Sequence, residues 1–196
     1  MKYLITLSFL FISVAVIFAQ HELAGTWKGF IQKAGQSTTE ADVIYLTIQQ
    51  TGNKVSGKTR IELLDKEVMA LKSFNGELID GEFKAEEDYV RTSTNSRQAP
   101  VCKLKYALHY IDSSRYLKGT FISTDCRGVR GDIVLFRTDD ELSESKEMKG
   151  SHMWKKRFVE MYDKGYPSPE VMKIEQANFR FEPIYFDHDK SEIRPE

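Results

Sequence analysis

Between Gly25 and Thr138 apolar residues recur at every second position, and turn residues break the alternation at short intervals. A period of two places neighbouring side chains on opposite faces of an extended chain, so this stretch satisfies its backbone as many short antiparallel strands. No helical run separates them. Sequential hairpins must therefore join the strands, and the fold class is mainly β: an up-and-down antiparallel barrel or a sandwich.

The strand candidates are 26–32, 42–50, 54–63, 67–74, 76–87, 89–100, 102–110, 115–124 and 132–138. Ile44, Leu46 and Ile48 share one face of the second, and Val55, Thr59 and Ile61 share one face of the third. Thr51-Gly52-Asn53-Lys54 joins those two as a hairpin, since Gly and Asn tolerate positive φ. Asp80-Gly81 is a second hairpin signal. The polar stretch 89–100 ends in Pro100 and reads as a strand fading into a loop. The core candidates are Trp27, Ile44, Leu46, Val55, Ile61, Leu104, Tyr106, Leu108, Phe121, Val134 and Phe136, with Trp27, Leu46, Tyr106 and Phe121 as possible barrel lining.

In 102–110 the alternation is clean: Leu104, Tyr106, Leu108 and Tyr110 face one way, and Lys103, Lys105 and His109 the other. With Ser113, Ser114 and Arg115 as a three-residue loop, Asp112 opposes Tyr116, and counting outward sets Cys102 opposite Cys126. A disulfide between these two follows, clamping the open end of the hairpin. The same register turns Phe121 toward the lysine face. Pairing Phe121 with Tyr106 needs a shift of one, so a bulge is expected near Asp125.

The compartment agrees with a disulfide. Residues 1–19 carry Lys2, an apolar run and Ala19, the pattern of a secretory signal peptide cleaved after Ala19; an uncleaved anchor over 3–19 is the rival. With 28 basic and 29 acidic residues the formal charge is −1, and removal of Lys2 with the leader lowers it by one more. Nothing in that balance favours nucleic acid. The 41% hydrophobic share suffices for a core.

Catalytic and metal signals are missing from the residues. His21, His109, His152 and His188 lack ligand spacing, and the cysteines form no C-x₂-C pair, so no metal or cofactor is expected. There is no G-x-S-x-G, no cysteine with a placed histidine and no phosphate loop. Glu86, Glu87 and Asp88 adjoin in sequence without suggesting an acid and base pair. The expectation is a protein that is not an enzyme.

Past Thr138 the pattern changes. Residues 139–150 are charged and poor in apolar groups, a linker expected to be solvated. Over 151–165 the period becomes helical, with Trp154, Phe158, Met161 and Tyr162 on one face, Ser151 as cap and Gly165 past the end. Lys155, Lys156 and Arg157 read as a solvated face. Ser168-Pro169-Glu170 opens a second short helix to about Ala177. The domains are therefore a leader at 1–19, a β-barrel domain at 20–138, a linker with an amphipathic helix at 139–178, and a further unit begun at 179–196.

Two resemblances sit on these residues. Gly25-Thr26-Trp27 followed by an antiparallel meander resembles the lipocalin-like barrels, in which G-x-W opens the first strand and plugs one end. The chain departs from that pattern in its short strands and in having no evident basic residue partnered to the tryptophan. The ending PIYFDHDKSEIRPE resembles the opening of an OmpA-type C-terminal domain, through Ile184, Tyr185, Phe186, Asp187, Asp189, Lys190, Ser191, Ile193, Pro195 and Glu196, with His188 as a departure.

The second resemblance implies a cell-envelope protein of the periplasm or outer membrane of a Gram-negative bacterium. A β module would be tethered to peptidoglycan through a domain mostly beyond Glu196, and association with the outer membrane is open. No peptidoglycan-contacting residue falls within this chain. The first resemblance implies the alternative, a secreted carrier of a small apolar ligand.

Overall fold

Eight strands follow one another around a closed antiparallel barrel: β1 (Gly25–Lys33), β2 (Asp42–Thr51), β3 (Lys54–Leu63), β4 (Val68–Ile79), β5 (Glu82–Ser93), β6 (Leu104–Ile111), β7 (Tyr116–Ser123) and β8 (Arg130–Thr138). β8 returns to pair with β1, which leaves no open sheet edge. The structure is a computed structural model that describes residues 23–94, 101–148 and 152–178. The residues read as a leader, part of the β5–β6 loop, the expected cap Ser151 and the ending read as resembling an OmpA-type domain lie outside the described residues.

The hairpin between β4 and β5 turns at Asp80 (φ 51°) and Gly81 (φ 79°), and that between β2 and β3 at Gly52 (φ 58°), where the residue types anticipate positive φ. Asn75-Gly76 is not a turn. β4 runs through it for 12 residues, and glycine is required because a Cβ there would lie 2.1 Å from the carbonyl oxygen of Lys84 on β5. β5 likewise continues to Ser93 instead of restarting at 89, with register shifts against β4 that bend it. The strands are thus longer than their punctuation suggests.

Between β6 and β7 the register pairs Tyr106 with Phe121 and Ile111 with Tyr116. The loop holds four residues, Asp112 to Arg115, not three, and Arg115 takes φ 53° to close it. That shift turns Phe121 inward beside Tyr106. The disulfide forms as expected, with a Cα–Cα distance of 5.6 Å. The extra residue is absorbed past the end of β7, where Thr124 N–H donates to Lys103 O and Lys103 N–H to Asp125 Oδ1.

Inward residues of all eight strands make one core, including Trp27, Ile44, Leu46, Val55, Ile61, Leu104, Tyr106, Leu108 and Phe121. Val134 and Phe136 are buried elsewhere. On β8 the inward residues are Ile133 and Leu135, while Val134 and Phe136 lie on the outer wall under helix α1 (Met153–Asp163). Both faces of β8 are covered, so alternation alone could not tell them apart.

Helix α1 covers the barrel with Phe158, Val159, Trp154 and Tyr162. Phe158 meets Phe136 at 4.6 Å with its ring tilted, Tyr162 meets Phe30 edge-on at 5.5 Å, and Trp154 meets Tyr45 at 6.1 Å. Lys155 is buried, not solvated, and donates to Thr39 O; Lys156 and Arg157 are exposed. A second helix, α2 (Pro169–Asn178), is tied at its start by Ser168 N–H to Ser114 O in the β6–β7 turn.

The segment joining β8 to α1 keeps most side chains in water, yet its backbone is docked. Arg60, outward on β3 and fully buried, donates to the carbonyls of Ser143 (3.1 Å), Ser145 (2.6 Å) and Glu147, and pairs with Glu62. Glu62 also faces His152, just before α1, at 2.9 Å.

Candidate functional site

The two ends of the barrel differ. At the end where β1 begins, Trp27 is fully buried, its indole N–H donating to Leu23 O at 2.8 Å, and Leu23 N–H donates to Gln50 Oε1. Tyr110 meets the indole edge-on at 6.0 Å. Arg137 lies over the same ring at 4.9 Å and donates to Ala24 O. The tryptophan therefore does have a basic partner. It went unseen in the sequence because it stands on the last strand; its signal was parity, since Arg137 shares the inward face of Ile133 and Leu135.

The opposite end holds a cavity of about 250 Å³. Ile31, Ile61, Val68, Leu104, Phe121 and Val129 supply apolar wall, and Cys102 brings the disulfide to the rim. Of the four residues read as lining, Phe121 borders this cavity, whereas Trp27, Leu46 and Tyr106 lie within the packed core. At the mouth Asp42 pairs with Lys33 at 3.2 Å and accepts from Leu64 N–H, and burial raises its carboxyl above the usual range. Lys66 stands exposed beside them.

Deeper in the wall is a buried polar cluster. Lys72 of β4 pairs with Glu87 of β5, and its ammonium also donates to Cys102 O at 2.7 Å. Glu87 accepts in addition from Leu104 N–H (2.9 Å) and from the Tyr106 hydroxyl, which lies 3.3 Å from Thr59 Oγ1. Burial pulls the Lys72 ammonium below its ordinary pKa, partly offset by Glu87. Burial, reinforced by the Glu87 charge, holds the Tyr106 phenol well above the usual value.

Lys72 was not singled out in the sequence, and Glu87 was weighed only beside Glu86 and Asp88. Both carried a signal, since Lys72 has the parity of Ala70 and Phe74, and Glu87 that of Phe83 and Ala85. Its neighbours point elsewhere: Glu86 pairs with Lys105 at 3.0 Å, and Asp88 accepts from Asn75 at 2.6 Å. Among the described residues, the one grouping with metal-ligand geometry is Cys102, Asp125 and Cys126, whose sulfurs are consumed by the disulfide.

A wider groove of about 500 Å³ lies between α1, α2 and β8, but charged side chains such as Lys28, Asp140, Arg157, Glu170 and Lys173 border it. No family model matches the chain, and neither the curated proteins nor the solved structures contain a match to it. No helix among the described residues is long and apolar enough to cross a membrane.

Proposed function

We propose that the barrel is a noncatalytic binding module of lipocalin-like type that holds a small apolar ligand, carried by an exported protein. The observation behind this reading is the asymmetry of the barrel: an apolar cavity at one end, and a tryptophan packed beneath an arginine at the other. A void lined by apolar side chains is costly to leave empty, and an apolar occupant regains the lost contacts. The leader at 1–19 supports export. Native mass spectrometry of protein purified from its own envelope tests the reading, with a copurifying molecule of low mass as the expected result. A single apo mass, with no response of the Ile31, Ile61 and Val68 methyl signals to apolar probes, counts against it.

A second reading concerns where the module acts. The ending PIYFDHDKSEIRPE favours a peptidoglycan tether of OmpA type, with the barrel as its cargo at the cell envelope. Reading the gene past the codon for Glu196 tests this, and the expected result is a domain of that family. The two readings are compatible, because the cavity and the tether occupy different parts of the chain.

A further inference from the structure

If the cavity is a ligand site, as proposed above, its wall narrows the ligand. Asp42 at the rim has both oxygens engaged, by Lys33 and by Leu64 N–H. Lys72 differs. It is 1% exposed, lines the cavity, and carries three N–H donors. Among the described residues it gives two of them, to Glu87 Oε2 and Cys102 O. One donor is left for whatever occupies the apolar space.

The charge balance sets a second condition. Glu87 neutralises Lys72 and has its own oxygens filled by Lys72, Leu104 N–H and the Tyr106 hydroxyl. An anionic ligand would therefore place an uncompensated charge beside a pair already balanced, in surroundings that solvate it poorly. A carbonyl brings an acceptor without a charge. Size is the third condition, because about 250 Å³ lies below the ~300–1,000 Å³ of common small-molecule pockets.

We infer that the cavity takes a small uncharged molecule with an apolar body and a single hydrogen-bond acceptor, of ketone or ester class, whose carbonyl oxygen accepts from Lys72 Nζ. The alternative, a carboxylate held at the mouth by Lys33 and Lys66, is separated from it by experiment.

Three probes of equal heavy-atom count serve: acetophenone, isopropylbenzene and benzoate, each titrated into the full chain while the Ile31, Ile61 and Val68 methyl signals are followed. Acetophenone is expected to bind more tightly than benzoate, with its bound carbonyl stretch shifted to lower frequency than in a hydrocarbon solvent. The variant carrying Lys72→Met and Glu87→Gln together keeps the pocket and removes the donor. In it the affinity ratio of acetophenone to isopropylbenzene is expected to fall about tenfold, the weight of a hydrogen bond from a charged donor.

The carbonyl frequency is read on the unaltered protein, so that arm stands even if the variant fails to fold. A bound carbonyl at its hydrocarbon frequency, or an unchanged ratio in the variant, overturns the role of Lys72 while leaving apolar binding intact. Tighter binding of benzoate overturns the requirement for a neutral ligand. No response to any probe overturns both this inference and the ligand-site reading beneath it.

Discussion

At the end where β1 begins, the barrel is filled by Trp27, Tyr110 and Leu23, and Arg137 donates to Ala24 O while its guanidinium lies over the indole. At the other end a lysine and a glutamate are buried in a wall that leaves a cavity open. Each end holds a cationic side chain, half-buried at the first and fully buried at the second. The first uses its cation to complete packing. The second holds one within an ion pair beside a cavity, an arrangement that adds little stability over apolar residues of similar size.

The difference can be broken most directly at the filled end. Trp27→Ala removes the largest fully buried side chain and strands the Arg137 guanidinium, so a loss near ~4–5 kcal/mol is expected in urea unfolding. A loss under about 1 kcal/mol would show that this end is not the packed one. At the open end the expected pattern depends on pairing. Lys72→Met alone leaves Glu87 charged and buried, at a cost of ~3–4 kcal/mol. Adding Glu87→Gln should restore most of that stability, because the neutral amide introduced there can accept from Leu104 N–H through its oxygen and donate to the Tyr106 hydroxyl through its NH2. If the single and double variants were equally unstable, lost packing and not lost pairing would govern the open end.

The two ends were unequally legible in the sequence. Gly25-Thr26-Trp27 marked the filled end through its resemblance to the lipocalin-like barrels, in which that motif plugs one end. Arg137 did not, since a residue on the final strand meets the first only once the barrel has closed. Lys72 and Glu87 stood at inward parity, but both types usually lie at the surface, and Glu87 was weighed only beside Glu86 and Asp88. Phe121 was expected in the core, but a count of three loop residues turned it toward the lysine face; the loop uses four residues, which removes that conflict and leaves Phe121 inside. Arg60 was invisible for another reason: its partners are backbone carbonyls of 143, 145 and 147, and no side-chain pattern marks a carbonyl.

The disulfide belongs to the open end alone, and its loss should be felt there. Replacing Cys102 and Cys126 by serine frees a chain separation of 24 residues, for which loop closure contributes about 3 kcal/mol. Amide exchange should quicken around Lys103, Leu104, Ser123 and Val129 while Trp27 and Arg137 keep their protection. Equal quickening at both ends would mean that the ends unfold as one unit and that the contrast between them is only one of packing. Thiol labelling of the unreduced, denatured chain checks the premise, with no label expected.

The gentlest probe is the titration of the tyrosines. Burial pushes Tyr45 and Tyr116 up to about 12, from an ordinary value of ~10 in the unfolded chain. A raised folded pKa means that the native state holds its proton longer. Stability from these groups is therefore complete below pH ~10 and is lost as pH climbs toward about 12. Tyr116→Phe should flatten that alkaline fall while costing ~1 kcal/mol at neutral pH, because the hydroxyl bond to Tyr166 O at 2.9 Å is lost. The ends then separate within one titration. Tyr110, at the filled end, is raised by burial with a smaller push from Glu170, whereas Tyr106 is raised well beyond the normal range by burial and by the adjoining Glu87 carboxylate. Carbon-13 shifts of the phenol rings should show Tyr110 ionising first and Tyr106 remaining protonated until the barrel unfolds. In the variant with Lys72→Met and Glu87→Gln, the Tyr106 transition should move down, because the negative charge is gone, while Tyr110 stays in place. Movement of both together would mean that the polar cluster at the open end is felt across the whole core.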